Sequence, residues 1–188
     1  MRSFTVRAAK TADESAILAL VKDEMSAHER LDPRFRPRAD AVDRYAIYLR
    51  ERMREIDSTV FVAEEEGRVI GVAIGSMRVQ DAFFETRRYG YVSDLMVMPE
   101  ARRRGIGRAL WTRVALWFRS VGISVVRLHV ATKSSEARAF WKSAGAEDFL
   151  AEAWIDLPAV ALPTVENASA EAAEVLRGER LAGDSGVI

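Results

Sequence analysis

One segment decides the fold of this chain: Met98-Pro99-Glu100-Ala101-Arg102-Arg103-Arg104-Gly105-Ile106-Gly107-Arg108-Ala109-Leu110. It joins a long apolar strand pattern to an amphipathic helical pattern, and it places Gly105 and Gly107 where the helix is expected to begin. The first backbone N–H groups of a helix have no partner within the helix and carry the positive end of the helix dipole. Small residues there let an anion approach the backbone, and flanking arginines add charge-assisted contacts. The segment therefore predicts a loop that binds an anion, above all a diphosphate.

Two better-known phosphate-binding loops do not fit this segment. A Walker loop needs Gly-Lys followed by Ser or Thr, but here Gly107 is followed by Arg108 and Ala109. A dinucleotide-binding loop needs a third glycine at the position of Leu110. The pattern that remains is R-x-x-G-x-G, beginning at Arg102. A solvated arginine run before an ordinary helix is the alternative that the segment alone leaves open.

The patterns on either side of the segment predict a sheet covered by helices. Apolar runs and alternations indicate strands at residues 4–7, 59–63, 69–75, 89–98, 125–130 and 149–157. Apolar residues at helical spacing indicate one helix after Thr11 and others at residues 40–55, 105–120 and 135–143. The pair Glu66-Gly67 suits a tight turn between the second and third strands. The expected class is α/β (α+β), with a central mixed sheet and helices packed on it.

The composition narrows the classes of protein to which the chain can belong. It has 188 residues with 28 Lys or Arg and 28 Asp or Glu, and a net charge near zero disfavours nucleic-acid binding. There is no cysteine, which excludes disulfides, zinc–thiolate sites and a cysteine nucleophile. The two histidines, His28 and His129, are too few for most histidine metal sites, and the longest aliphatic run, Ala16 to Val21, is far shorter than a membrane helix. We expect a cytoplasmic protein without a nucleic-acid, membrane or metal partner.

The end of the long strand and the loop together carry a family resemblance. Residues 94–100, Asp-Leu-Met-Val-Met-Pro-Glu, followed by residues 102–107, Arg-Arg-Arg-Gly-Ile-Gly, closely resemble the acetyl-CoA-binding motif of the GCN5-related N-acetyltransferase (GNAT) family. The resemblance extends over roughly Phe4 to Leu157. It implies a GNAT-like mixed central sheet of about six to seven strands, with helices on both faces and a splay at the acetyl-CoA site.

The resemblance also implies which residues bind the acyl donor, acetyl-CoA. Main-chain groups at a bulge near Leu95, Met96 and Val97 would hold the pantetheine and polarise the thioester carbonyl. The loop would bind the coenzyme A diphosphate through its N–H groups and side chains, at Arg102, Arg103, Arg104, Gly105, Ile106, Gly107 and Arg108. Such a reaction uses no metal.

A second motif of the family follows the next strand, with two departures. The family often shows Asn-x-x-Ala-x-x-Phe/Leu-Tyr, where this chain has Ser134, Ala137, Phe140 and Trp141. Ser134, Phe140, Trp141 and Lys142 are the cofactor-binding residues that this match implies. The tyrosine is frequently credited with protonating the departing thiolate, whereas an indole N–H cannot give up its proton near neutral pH. Packing against the coenzyme or the core is therefore the expected role of Trp141.

Acetyl transfer to an amine needs a proton acceptor, because a free alkylammonium has a pKa near 10.4. Asp94 is the first candidate, and the main-chain N–H near Val97 is the expected donor to the oxyanion. By strand alternation, Tyr91 and Ser93 are expected on the face opposite Asp94. A hydrogen bond from Asp94 to a neighbouring loop is the alternative. His28 would lie near the acceptor pocket if the resemblance extends to the first helix, and a surface histidine is the alternative.

These inferences predict a function and a domain plan. We expect an acetyltransferase domain at residues 1–157 that transfers the acetyl group of acetyl-CoA directly to a primary amine on a small molecule, peptide or protein. A non-catalytic acyl-CoA-binding sensor on the same fold is the alternative, because Trp141 stands at the tyrosine position. Residues 158–188 are expected to form a C-terminal extension with one helix at residues 168–177. Covering the domain, mediating a homodimer and staying mobile are the roles left open for it.

Overall fold

The computed structural model describes residues 3–157, which form five strands and four α-helices. Helices α2, α3 and α4 begin and end within one residue of the bounds predicted from apolar spacing. Glu66 and Gly67 both have positive φ, at 50° and 78°, as the predicted tight turn requires. In chain order the elements are β1 Thr5–Ala8, α1 Glu14–Leu31, α2 Ala41–Arg54, β2 Ser58–Glu65, β3 Arg68–Val79, β4 Arg88–Val97, α3 Ile106–Ser120, β5 Val126–Leu128 and α4 Ser135–Ser143.

The strands form a single mixed sheet in the order β1-β2-β3-β4-β5. Neighbouring strands are antiparallel except for β4 and β5, which are parallel. Pairing between β4 and β5 stops at Val92 and Leu128, whereas β4 continues along β3 as far as Val97. Among residues 3–157, the last part of β4 therefore has a strand neighbour on one side only. This is the splay that the resemblance implies.

Helices cover both faces of the sheet, each with its own apolar cluster. Val114 and Phe118 of α3 are fully buried on one face, and Ile17 of α1 and Leu49 of α2 are fully buried on the other. The contact between α3 and β4 is close enough to need a glycine, since a Cβ on Gly90 of β4 would lie 2.6 Å from the Phe118 ring. Successive strand residues point to opposite layers. The face on which a β4 residue lies therefore decides whether it meets α3 or the α1–α2 pair.

The sheet has five strands rather than the expected six to seven, because residues 149–157 form no strand. Large apolar side chains of this stretch are exposed, Phe149 by 72% and Leu157 by 85%. A strand is stabilised by main-chain hydrogen bonds to a neighbour and by a face that packs. An apolar pattern indicates that a segment can pair, but it does not establish that a partner is within reach.

The chain divides into two units after Glu147, and the described part of the second unit is the irregular stretch 148–157. The composition change places the domain boundary at residue 157, and that boundary stays a prediction. The helix expected at residues 168–177, and the segment for which three roles were left open, fall outside the described residues. Within residues 3–157, no helix has both the length and the apolar character needed to cross a membrane.

Candidate functional site

A bulge in β4 sets the geometry of the candidate site. The register of β4 against β3 shifts between Val92 and Asp94, which leaves Ser93 as an extra residue. A bulge interrupts the alternation of side chains along a strand. The Ser93 Oγ accepts a hydrogen bond of 2.8 Å from the Tyr48 hydroxyl of α2. Asp94 lies on the same face, because it pairs in register with a β3 residue of the α1–α2 cluster, Ile74.

The placement of Ser93 predicted from the sequence is therefore wrong. Strict alternation puts Ser93 on the face opposite Asp94, whereas the bulge brings both side chains to the α1–α2 face. The bulge also lies immediately before Asp94 rather than near Leu95, Met96 and Val97. The physical reason is that one inserted residue reverses the alternation from that point onward.

The main chain of β4 beyond the bulge has free groups on its open edge. The Met98 N–H donates to the Ile70 carbonyl at 2.9 Å, and bonds to a neighbouring strand alternate along an antiparallel ladder. Leu95 and Val97 therefore turn their N–H and C=O groups away from β3, toward the side where β5 has separated. The Val97 carbonyl accepts a bond of 3.2 Å from the Arg102 Nε. This edge provides a backbone ladder to which an extended ligand can bind.

A cavity of about 730 Å³ lies along this edge. Its walls are the end of β4, the start of α3, one side of α4 along its whole length and the second half of α1. Twelve predicted donor-binding residues line it: Leu95, Met96, Val97, Arg102, Arg103, Gly105, Ile106, Gly107, Arg108, Ser134, Phe140 and Trp141. Arg104 and Lys142 are not among its lining residues, and Lys142 is exposed. Asp94 is not among the lining residues, and it lies on the same face of β4 as Met96, opposite to Leu95 and Val97.

The loop before α3 has the backbone conformation of an anion-binding turn. Gly105 is the N-cap of α3 with φ of 84°, and Arg103 also has positive φ, at 61°. Alternating left-handed residues turn successive N–H groups to one side of the backbone. The N–H groups of Ile106 and Gly107 follow at the start of α3, where no partner within the helix is available. A Cβ on Gly107 would lie 3.4 Å from Phe140 and 3.5 Å from Leu95, so this glycine faces the cavity wall.

The four arginines of the loop differ in their partners. Arg102 binds Glu136 of α4 at 3.0 Å, and Arg104 binds Glu65 of β2 at 3.3 Å. Arg108 donates only to neutral groups of Ser143, the carbonyl at 3.2 Å and the hydroxyl at 3.0 Å. Arg103 is exposed and has no carboxylate partner within residues 3–157. The sequence gives no means of separating these four side chains, because the acidic partners come from distant elements.

The surroundings of Asp94 alter its affinity for a proton. Burial is the main cause that raises the pKa of its carboxyl above the ordinary value of 3.8. The neighbouring hydroxyls of Ser93 and Tyr45 lower that pKa, the charge of Glu24 raises it and His28 lowers it. These neighbours lie on β4, α1 and α2. The alternative role of Asp94, a hydrogen bond to a neighbouring loop, would need a partner outside these elements. A carboxylate whose pKa is raised accepts a proton more readily than an exposed one.

Two residues of the second motif have clear structural roles. Trp141 is 9% exposed and packs edge-on against Trp111 of α3, at 5.4 Å between ring centroids, and against Phe140, at 5.0 Å. It belongs to the apolar cluster under α3 and also lines the cavity. Ser134 is the N-cap of α4, where its hydroxyl accepts from the Ala137 N–H at 3.4 Å.

Helix α1 contributes four cavity-lining residues, and two of them, Glu24 and His28, carry polar side chains; the other two are Ala27 and Leu31. His28 lines the cavity with a side chain that is 38% exposed, and its ring meets Phe35 edge-on at 5.3 Å. Glu24 was missed by the sequence analysis, since a glutamate on the polar face of an amphipathic helix carries no distinguishing signal. Only the packing of α1 across the open edge of β4 brings it to the cavity.

Comparison with known proteins agrees with this geometry. A sequence model described as "Acetyltransferase (GNAT) family" matches residues 21–146. The curated proteins include an uncharacterized N-acetyltransferase, YhfO, of Bacillus subtilis strain 168. It is 24% identical over 145 residues, which cover 77% of this chain and 91% of that protein.

Solved structures share the fold at low sequence identity. An aminoglycoside N-acetyltransferase in complex with CoA superimposes with a TM-score of 0.66 at 16% identity, over 85% of this chain and 97% of that one. A predicted acetyltransferase from Clostridium acetobutylicum, with acetyl-CoA, superimposes with a TM-score of 0.67 at 20% identity, over 83% and 96%. The matched range contains the bulge, the arginine loop and both motifs, and this chain belongs to the GNAT family of acetyl-CoA-dependent N-acetyltransferases.

Proposed function

We propose that this N-acetyltransferase transfers the acetyl group of acetyl-CoA directly to a primary amine, with Asp94 as the proton acceptor. The observation that carries the proposal is the division of β4 between two roles. Beyond the bulge, Leu95 and Val97 turn main-chain groups to the cavity. Asp94 lies on the other face, among polar side chains of α1 and α2. A donor-binding backbone and a proton acceptor are thus adjacent on one strand, as direct transfer requires.

The cavity has the groups that coenzyme A needs. Its volume of about 730 Å³ suits a large cofactor, and its loop combines the N–H groups of a helix start with Arg103 and Arg108, which pair with no carboxylate among residues 3–157. We assign the diphosphate to this loop and the pantetheine to the main chain of Leu95 and Val97. Acetyl-CoA, when bound, supplies an acetyl group activated as a thioester. Further side-chain contacts to the coenzyme are proposed for Arg102, Arg104, Ser134, Phe140, Trp141 and Lys142.

Two groups on β4 would act in the transfer itself. The Val97 N–H stabilises the negative charge that develops on the thioester oxygen, as a fixed backbone donor does in an oxyanion hole. Asp94 accepts a proton from the attacking amine, directly or through a water molecule. Its raised pKa, caused mainly by burial, makes the carboxylate a stronger base than an exposed aspartate.

No general acid is assigned at the position where the family often has tyrosine. Trp141 is buried against two aromatic rings, and an indole N–H is a donor that does not ionise near neutral pH. A thiol with a pKa near 8.5 gives a thiolate that can leave without prior protonation. The reaction that we propose therefore needs a base and an oxyanion donor, but no acid at residue 141.

A non-catalytic acyl-CoA-binding sensor is the second candidate, and the same residue favours it. Trp141 occupies the position at which the family often has tyrosine, and here its side chain packs in the apolar cluster under α3. A sensor would use the loop and the open edge of β4 for binding and would leave Asp94 without a chemical role.

Thiol release from acetyl-CoA in the presence of a panel of primary amines tests the proposal. The enzyme should release thiol with at least one amine, and Asp94→Asn should lower kcat by about 10² to 10⁴-fold with an unchanged Kd for CoA. In the wild type, kcat/KM should decrease as the pH falls through the pKa of Asp94, which lies above 3.8, because protonation removes the base.

Glu29→Gln is the matched control, since Glu29 lies on α1 outside the cavity and pairs with Arg36 at 3.0 Å. This variant should retain the wild-type kcat and Kd. Equal turnover by Asp94→Asn and the wild type would place the base elsewhere. Saturable CoA binding without thiol release from any amine would favour the sensor.

Two further proposals rest on composition, and a third concerns the extension. We propose a cytoplasmic location and no nucleic-acid partner, on the basis of the balanced charge and the absence of cysteine. Size-exclusion chromatography of the full chain and of a chain ending at residue 157 tests the proposed homodimer, which residues 158–188 would mediate.

A further inference from the structure

Glu24 lies where the donor and acceptor sides of the cavity meet. It lines the main cavity together with Arg102 and the end of β4, and it also lines a smaller neighbouring cavity of about 290 Å³. Its side chain is 33% exposed, and its Oε1 lies 3.3 Å from His28 Nδ1 on the same helix. Its charge also acts on the carboxyl of Asp94, across the α1–α2 face of β4.

The Arg102 guanidinium connects Glu24 to the loop proposed to bind the diphosphate. Its Nη1 donates to Glu136 of α4 at 3.0 Å, and its Nε donates to the Val97 carbonyl at 3.2 Å. Its Nη2 lies 3.9 Å from Glu24, a distance too long for a hydrogen bond. The attraction between Arg102 and Glu24 is therefore purely Coulombic, and it is the weakest of the three contacts.

A diphosphate at this loop competes for the same guanidinium. Phosphate oxygens form strong charge-assisted bonds with arginine, and two phosphate charges outweigh one carboxylate at a longer distance. When the diphosphate attracts the guanidinium, Glu24 loses its only arginine partner within residues 3–157. The Glu24 carboxylate then keeps its 3.3 Å contact with the His28 ring but has no arginine beside it among residues 3–157, and its negative charge attracts a cation.

We propose that Glu24 binds the ammonium group of the acceptor amine, and that Arg102 blocks Glu24 until acetyl-CoA binds. The inference rests on the proposed function, because it needs the diphosphate at the loop and an amine as acceptor. It assigns Glu24 a role in acceptor binding and Arg102 a positioning role between the two substrates. Binding of the donor thereby favours binding of a positively charged acceptor, and by linkage the acceptor favours the donor.

The Kd of CoA tests the competition, measured by calorimetry in the wild type, the two single variants Glu24→Gln and Arg102→Gln, their double variant and one control. Glu24→Gln should bind CoA about fivefold more tightly than the wild type, since Arg102 is no longer held by a partly exposed ion pair. In the Arg102→Gln background, adding Glu24→Gln should change the Kd little. An equal gain in both backgrounds would mean that Glu24 merely repels the phosphates, and this would overturn the role of Arg102. Glu29→Gln, on the same helix, should leave the Kd unchanged.

The acceptor role of Glu24 is tested by steady-state kinetics. The substrate is the amine of the panel with which the enzyme releases thiol fastest. Glu24→Gln should raise the KM of that amine about tenfold with little change in kcat, because a charged hydrogen bond to the substrate is lost. An unchanged KM, in a variant that binds CoA and turns over, would overturn the inference alone. If the wild-type protein binds no CoA, or releases no thiol with any amine, the proposed function is contradicted. The inference is then contradicted too, because it depends on that function.

Discussion

The two halves of the site share β4 but are built differently. The proposed donor half is built mainly from one continuous segment, Leu95 to Arg108, with α4 beside it, and we assign most of its binding to backbone N–H and C=O groups. The proposed acceptor half consists of side chains from three separate elements, Glu24 on α1, Tyr48 on α2 and Asp94 on β4. The donor half therefore depends on local backbone conformation, whereas the acceptor half depends on how helices pack on the sheet. Substitutions in the two halves should separate binding of CoA from turnover.

The largest effect is expected from Gly107→Glu in the donor half. The new carboxylate would enter the cavity wall between Phe140 and Leu95 and repel the diphosphate. At an effective dielectric near 20, two unit charges 4 Å apart interact by about 4 kcal/mol, as an upper guide, so we expect CoA to bind about 100-fold more weakly or worse. Isothermal titration calorimetry measures the Kd.

Gly107→Ala is the control for this change. An alanine Cβ would meet its neighbours at 3.4 and 3.5 Å, which is ordinary van der Waals contact, so the Kd should change little. If Gly107→Glu folds and keeps the wild-type affinity, the diphosphate does not bind at this loop.

The second effect compares two arginines within the donor half. Arg103→Gln should weaken CoA binding about tenfold, because the exposed guanidinium is free to bond to a phosphate. Arg104→Gln should have a smaller effect on the Kd, since Glu65 already holds that guanidinium. Fluorescence titration of both variants against CoA measures the ratio. Equal losses would indicate that the loop binds by net charge alone.

The third effect concerns the acceptor half. Tyr48→Phe removes the 2.8 Å hydrogen bond to Ser93 at the bulge, next to Asp94. We expect kcat to fall by about fivefold, which corresponds to about 1 kcal/mol for one hydrogen bond, while the Kd of CoA stays unchanged. Tyr89→Phe on β4 is the control. The Tyr89 ring does not line the cavity, and it stacks under the Arg127 guanidinium at 4.4 Å. A change in CoA affinity for Tyr48→Phe would show that the halves are not separable.

The smallest effect is expected at Trp141, which borders the donor half and the core. Trp141→Phe should keep kcat within a few-fold, because neither side chain can protonate a thiolate. Trp141→Tyr restores the residue typical of the family and should raise kcat only modestly, since attack by the amine is expected to limit the rate. A large loss of kcat in Trp141→Phe, with unchanged thermal stability and CoA affinity, would reveal a specific catalytic contact of the indole N–H.

The sequence predicted more of the donor half than of the acceptor half. Helix α3 begins beside Gly105, as the glycines and the loss of the strand pattern indicate, and the predicted donor residues from Leu95 to Val97 line the cavity. Ser93 was placed on the wrong face, because a bulge is invisible to a strict period of two. The strand predicted at residues 149–157 is absent, because the prediction rested on the apolar pattern alone.

By itself, the sequence determined the family, the order of elements as far as α4 and the glycine-containing turn at the start of α3. These features depend on neighbours within a few residues, such as the positive φ of Gly105 and the unpaired N–H groups of a helix start. The tertiary structure alone decided that Asp94 faces α1 and α2, that Glu24 reaches the cavity and that Arg104 is neutralised while Arg103 is not. The physical reason is that charge pairing and burial join residues far apart in the chain. Their energies depend on distance in space, which no local pattern of residue types contains.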